Sequence, residues 1–313
     1  MADKKLTKKE RQALESYNKK LQRVRDTTRL VASGYGNGYY CWGEGGIGKS
    51  FNMIAELKAM GLVRGKDWML CNTRLSGPAW FDCIEKWPTQ THLLEDIENV
   101  FLDRTSLNLT RSALWGQEDK DGKQERLVTY TTKNLLKPGE ERQVLFTGQI
   151  LFTGNKPLEA IPELEALSTR IEVEHVELTR AEMLAVMKFI CLKGKQTDKG
   201  FVSPDDCLEI FHYYARHLDA DTKLDLRVLN KAIKLRLGIK QLDLKTTWQD
   251  LVLRAIRQST ESQQPLTRLQ RVAKERDIAL ELKKNSMTGE ALRVEWEKRT
   301  GHTTVDSYYR RLK

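Results

Sequence analysis

No apolar run in this 313-residue chain approaches the roughly 20 residues of a bilayer span, so no stretch reads as transmembrane. The basic opening, MADKKLTKKERQ, has no apolar segment behind it and does not read as a secretory signal. The five cysteines (Cys41, Cys71, Cys83, Cys191, Cys207) show no CxxC spacing and no even framework. They read as reduced thiols of a cytoplasmic-type compartment. No paired acids, metal-ligand cluster or nucleophile triad points to a second enzymatic activity beside the one argued below.

Charge is abundant but unevenly placed. The whole chain carries a formal +10; residues 1–30 hold net +6, residues 261–313 net +4, and the stretch between is neutral. Basic ends on a neutral middle suit a polyanion, most often nucleic acid, or a solubilising surface.

The most specific string is GEGGIGKS, Gly43 to Ser50, which fits G-x-x-x-x-G-K-[ST]. GYYCW (38–42) precedes it as a strand and FNMIAELKAMG follows it as a helix, the context this motif needs. Gly43, Gly45, Gly46 and Gly48 free the backbone amides, with those of Glu44 and Ile47, to close around phosphate oxygens. The helix N-terminus adds positive potential. Lys49 is expected to reach the β- and γ-phosphates and Ser50 to hold Mg²⁺, so ATP and Mg²⁺ are the implied cofactors.

A second element is THLLEDIEN (91–99), a short strand ending in Glu95-Asp96. Glu95 is assigned to the metal and Asp96 to the attacking water, with the reverse assignment open and Glu98 a third candidate. Between these motifs, strand 67–72 and helix 77–87 give a βαβ rhythm and imply a parallel sheet. A helix is expected over 97–116. Next, RLVTYTT (126–132) and RQVLFTG (142–148) flank a turn at Pro138-Gly139, predicting a β-hairpin over 126–147. The string LFTG recurs at once in QILFTGN (149–155), read as a core strand with Asn155 at its C-terminal end, where open α/β sheets place ligand-contacting residues. Gly148 is expected to supply a bend or a positive φ at the junction.

This order of motifs resembles the AAA+ ATPases: Walker A at 43–50, Walker B at 95–96 and sensor 1 at Asn155. PELEALSTRIEVEHVELT (162–179) is similar to the AAA+ stretch bearing an arginine finger, which the resemblance puts at Arg170, acting on a neighbouring subunit's nucleotide. LDLRVLNKAI (224–233) is similar to the sensor 2 helix, with Arg227 in the Arg position. A hairpin before the sensor 1 strand resembles the pre-sensor-1 hairpin group, including superfamily 3 helicases, and implies DNA contact by Lys133 and Lys137 near its tip. The resemblance covers residues 35–260.

The expected fold is α/β: a parallel-sheet P-loop NTPase (AAA+) core with an inserted hairpin, a helical lid and a C-terminal helical module. The expected segments are a basic N-terminal helix (1–31), the ATPase core (32–178), the lid (179–260) and a helix-turn-helix module (267–313) after a polar linker, QSTESQQPL. The N-terminal helix suits either a neighbouring subunit or DNA. WEKRTGHTTVDSYYRRLK (296–313) looks like DNA-binding helix-turn-helix segments of mobile-element proteins, which nominates Thr304, Tyr308, Arg310 and Arg311 as DNA contacts. The implied function is an ATPase acting on DNA as an oligomer, a hexameric ring being one arrangement, in phage, plasmid or transposon replication as an initiator or helicase loader. A replicative helicase or another replication protein is then a partner, and no membrane is involved. The alternatives are a superfamily 3-like helicase and a non-enzymatic ATP-gated DNA-binding switch.

Overall fold

The computed structural model describes residues 5–71, 75–95, 104–118, 124–131, 141–158, 165–218, 224–242, 244–261, 276, 278–283, 288–300 and 308–309. The chain divides into two units, Met1–Ile256 and Arg257–Lys313. The first is built on five parallel strands: β1 (Gly38–Gly43), β2 (Trp68–Cys71), β3 (Thr91–Glu95), β8 (Gln149–Gly154) and β9 (Glu172–Val176). Their order across the sheet is β2-β3-β8-β1-β9. This is the expected parallel-sheet P-loop NTPase class.

Strand sequence follows sheet position. β8 is buried at every residue but its first, whereas edge strand β9 carries Glu172 and Glu174. A strand covered on both faces has no polar side to show. Helices α2 (Lys49–Ala59), α3 (Gly77–Lys86), α4 (Arg104–Leu114) and the single turn α5 (Glu165–Ser168) belong to this core. The helix expected over 97–116 is described from Arg104 to Leu114.

The inserted hairpin is present. β6 (Leu127–Tyr130) pairs antiparallel with β7 (Arg142–Leu145), from Leu127 opposite Leu145 to Tyr130 opposite Arg142. Two further short strands, β4 (Gln117–Glu118) and β5 (Gln124–Glu125), pair just before it. Arg142 bonds Asp82 at 2.8 Å and also Glu85, tying the hairpin to α3. The two LFTG strings therefore part company: the first starts at Leu145, the last residue of β7, and runs into the junction, whereas the second lies within β8.

Gly148 joins them at a bend, the first of the two features expected of it, and a close approach adds a second reason for glycine. It has no positive φ; instead a Cβ there would stand 2.1 Å from the Gln90 carbonyl oxygen. The amides of Thr147 and Gly148 both donate to Pro88 O, at 2.8 and 2.9 Å, which holds that backbone close. Gly148→Ala should therefore destabilise by about 2 kcal/mol, since backbone rather than a flexible side chain must yield. A lowered urea midpoint at unchanged m-value would show it; an unchanged midpoint would refute the close approach.

The N-terminal helix α1 (Lys8–Leu30) begins with a capping box: Thr7 N donates to Glu10 Oε2 at 2.7 Å and Glu10 N to Thr7 Oγ1 at 3.2 Å. Leu14, Tyr17, Leu21, Val24 and Thr28 form its buried stripe at alternating three- and four-residue spacing. That stripe packs into the core of its own chain, against α2 and α6 (Arg180–Leu192), a third outcome beside the neighbouring subunit or DNA expected for it.

The lid comprises α6 (Arg180–Leu192), α7 (Pro204–Arg216), α8 (Leu226–Leu242) and α9 (Trp248–Glu261). It is not wholly helical, because β10 (Lys195–Thr197) and β11 (Gly200–Val202) form a two-stranded ribbon between α6 and α7. The Asp198-Lys199-Gly200 turn was the available signal. Helix α9 also runs into the first residues of the stretch read as linker.

In the second unit, α10 (Gly289–Thr300) contributes Leu292 and Trp296 to a small core with Ile278, Ala279, Leu282 and Tyr308. The other two expected helices are described only at 276, 278–283 and 308–309, all helical. Among the described residues no helix is long and apolar enough to cross a membrane.

Candidate nucleotide site

The loop after β1 owes its shape to its glycines. Gly43, Gly46 and Gly48 have φ of 147°, 75° and 100°, values that side-chain-bearing residues rarely adopt. Helix α2 starts immediately, at Lys49, so its positive N-terminal end meets the loop. Lys49 is buried, and its Nζ donates to Gly43 O at 2.8 Å and Glu44 O at 2.7 Å. The ammonium is thus already inside the turn that its amides enclose.

Strand order brings the other parts alongside. β8 lies between β3 and β1, with Thr153 opposite both Glu95 and Cys41. Glu95, half-buried, ends β3 as expected. Ser50 Oγ stands 3.2 Å from Thr153 Oγ1, which links the expected Mg²⁺ ligand to the sensor strand. Asn155 follows the last residue of β8, and a Cβ on Gly45 would lie 3.8 Å from its Oδ1. Asp96 and Glu98 lie outside the described residues. Thr153, the threonine of the second LFTG, was missed because a buried strand threonine looks like packing until its neighbours are known.

The lid closes on the loop through Asp225. Its Oδ1 accepts from Arg227 N at 2.6 Å and caps α8. Leu226 N donates to Gly46 O at 3.1 Å, and a Cβ on Gly46 would stand 1.9 Å from Asp225 Oδ1. Gly46 is therefore required by its φ and by its neighbour alike.

A cavity of about 500 Å³ opens here. Lys49, Ser50, Asn52, Glu95, Arg227 and Asn230 supply polar walls; Ile47 and Phe51, with Val186, Phe189 and Ile190 of α6, supply apolar ones. Helix α1 adds Tyr17, Asn18 and Arg25, which the sequence reading did not assign to any site. Tyr17 donates its hydroxyl to Ile47 O at 3.2 Å, and burial pushes its pKa up to about 12, so it stays a donor. Arg25 bonds the Asn52 side chain, which in turn donates to Gly48 O at 2.8 Å. The size suits a small-molecule site, and the left-handed glycines, buried lysine and adjacent carboxylate fit a magnesium nucleotide.

No protein-family model matches this sequence, and no curated protein matches it. Among solved structures, the chain is similar to Cdc6p from Pyrobaculum aerophilum, with 13% identity, a TM-score of 0.43, and coverage of 96% of this chain and 86% of that one. It is also similar to a Drosophila ORC structure bound to DNA, with 13% identity, a TM-score of 0.38, and coverage of 99% and 74%. At these scores neither neighbour carries an argument about function; the fold class rests on the sheet and the loop.

Of the remaining expected residues, the structure describes Arg170 and Tyr308. Arg170, expected as an arginine finger, is half-buried and stacks over Trp115 at 5.3 Å, away from the cavity walls of its own chain. Lys133 and Lys137, expected near the hairpin tip, and Thr304, Arg310 and Arg311 lie outside the described residues. Tyr308, expected as a DNA contact, is 4% exposed and packs edge-on against Trp296 at 5.5 Å. It fills the core of its unit, while Tyr309 faces solvent.

Proposed function

We propose that this chain is an ATP-hydrolysing AAA+ protein that acts on DNA as an oligomer. One observation carries the reading: a single cavity is walled by the phosphate loop, the acidic end of β3 and the Arg227 turn of α8, three parts far apart in sequence. Each has a separate task. Lys49 and the loop amides hold the phosphates, and Ser50 with Glu95 holds the metal. Asp96 orients the attacking water, with the exchange of roles between the two acids still open. Asn155 hydrogen-bonds the γ-phosphate or that water. ATP with Mg²⁺ supplies the electrophilic phosphorus and its charge neutralisation. Arg227 adds positive charge from the lid, and Arg170 is the finger offered to a neighbouring subunit.

DNA contact is assigned to the basic hairpin tip (Lys133, Lys137) and to Thr304, Arg310 and Arg311 of a helix-turn-helix at 267–313, with Tyr308 packing beneath. The setting is replication of a mobile element, with the chain acting as initiator or helicase loader. The antiparallel β6–β7 arms just before β8 favour a second reading, a superfamily 3-like helicase.

ATP hydrolysis with and without DNA, alongside native mass with ATP, tests this. We expect DNA-stimulated turnover by an ATP-dependent oligomer; a monomer whose turnover ignores DNA would sink the proposal. Strand unwinding separates helicase from loader. Removing residues 267–313 should weaken DNA binding and flatten its salt dependence; unchanged binding removes the helix-turn-helix.

A further inference from the structure

Cys71, Cys83 and His92 are too far apart in sequence to form a recognisable ligand motif, and no ligand cluster was expected from them. Folding brings them together from β2, α3 and β3. Cys83 Sγ lies 3.7 Å from Cys71 Sγ and 3.6 Å from His92 Nδ1, and all three donor atoms lie within 4.8 Å of one another.

The spacings discriminate between chemistries. A disulfide needs its sulfurs at about 2.0 Å. Two thiolates on a tetrahedral zinc, each at about 2.3 Å, stand about 3.8 Å apart, and such a sulfur stands about 3.6 Å from a nitrogen bound at about 2.0–2.1 Å. The observed 3.7 and 3.6 Å exclude the disulfide and fit the second case, as they also fit S–H hydrogen bonds between the same atoms.

The imidazole is set for the same task. His92 is fully buried, and its Nε2 lies 2.8 Å from Trp87 O, a contact that requires the proton on Nε2. That leaves the lone pair on Nδ1, aimed at the thiols. A carbonyl fixing the tautomer from behind is the usual support of a metal-bound histidine. Trp80 and Phe146 rings, each 5.5 Å from the imidazole, hold its plane. Both cysteines are half-buried, so an ion can reach them from solvent.

We propose that Cys71, Cys83 and His92 form a binding site for a thiophilic d¹⁰ cation, zinc being the first candidate. Each thiol gives its proton to solvent as its sulfur binds, and water takes the fourth position. The ion pins edge strand β2 and α3 to β3, the strand that ends in Glu95. None of the three residues walls the nucleotide cavity, so the site stands independently of the ATPase reading.

The full-length protein, purified without chelator, should retain about one zinc per chain by elemental analysis. Co²⁺ added to the metal-stripped protein should give a sulfur-to-cobalt charge-transfer band, and Zn²⁺ should raise its melting temperature. Cys71→Ser, Cys83→Ser and His92→Gln should each weaken Co²⁺ binding by more than the roughly 10–100-fold that loss of an outer-sphere partner costs. The wild-type cobalt spectrum is informative even where a variant fails to fold. A folded wild-type chain that gives no cobalt–thiolate band overturns the site, as does a band surviving all three substitutions. A Cys71–Cys83 disulfide in freshly purified protein would also overturn it, in favour of a redox pair.

Discussion

Lys49→Ala should lower ATP turnover by about 10²–10³-fold and weaken nucleotide binding, as loss of a preorganised charge-stabilising donor does. The side chain is buried, and its ammonium sits between the carbonyls of Gly43 and Glu44, inside the turn that must receive phosphate. No other lysine of the cavity wall belongs to the loop; Lys195 comes from the lid ribbon. Lys49→Arg should not restore activity, because a planar fork is longer and cannot occupy the same point between two carbonyls. Asp96→Ala should behave differently, retaining binding while hydrolysis falls, if Asp96 orients water. Equilibrium binding of a fluorescent ATP analogue, read beside single-turnover hydrolysis, separates the two. Wild-type turnover in Lys49→Ala, with an unchanged melting curve, would remove ATP chemistry from this loop.

Much of this site was legible because its parts are written locally. A phosphate loop is one contiguous string with a fixed turn, and the hairpin is announced by two β-rich runs around Pro138-Gly139. The distinction between the two LFTG strings also followed from local context. What was hidden depends on contacts between distant segments. Asp225 looks like an ordinary helix-start acid until the lid lays it against Gly46. Thr153 gains its meaning only from sheet order, which places it between Glu95 and Cys41. The Cys71–Cys83–His92 group is invisible to spacing because each ligand comes from a different element. The stripe of α1, from Leu14 to Thr28, was readable as a helix face, but a stripe does not name its partner. Its exposed charge drew the reading toward outside partners, whereas the apolar side decided where it docks.

That docking leads to the second large effect, at Glu182. The carboxylate caps α6 through the Thr179 amide at 2.7 Å and also accepts from Ser16 Oγ at 2.6 Å and Lys20 Nζ at 2.9 Å, both on α1. A reciprocal link joins Lys188 of α6 to Glu10 of α1 at 3.0 Å. Burial pushes the Glu182 carboxyl up, but hydrogen bonds from Ser16, Lys20 and Thr179 outweigh it and bring the pKa to about 2, against an ordinary value of 4.5. A depressed carboxylate stabilises the fold fully above its unfolded value and loses that contribution as pH falls through its folded value. Stability should therefore decline between about pH 4.5 and pH 2. Glu182→Ala should cost about 2 kcal/mol at neutral pH, because it uncaps α6 and removes the ion pair of Lys20, whose part-exposed ammonium keeps the Glu177 carbonyl. It should also remove this group's share of the acid decline. Since α1 delivers Tyr17 and Arg25 to the phosphate loop, ATP affinity should fall in the same variant. Denaturant melts across this pH range, paired with ATP titrations at neutral pH, measure both. An acid limb identical in wild type and variant would mean that the Glu182 carboxylate contributes nothing to holding α1 against the core.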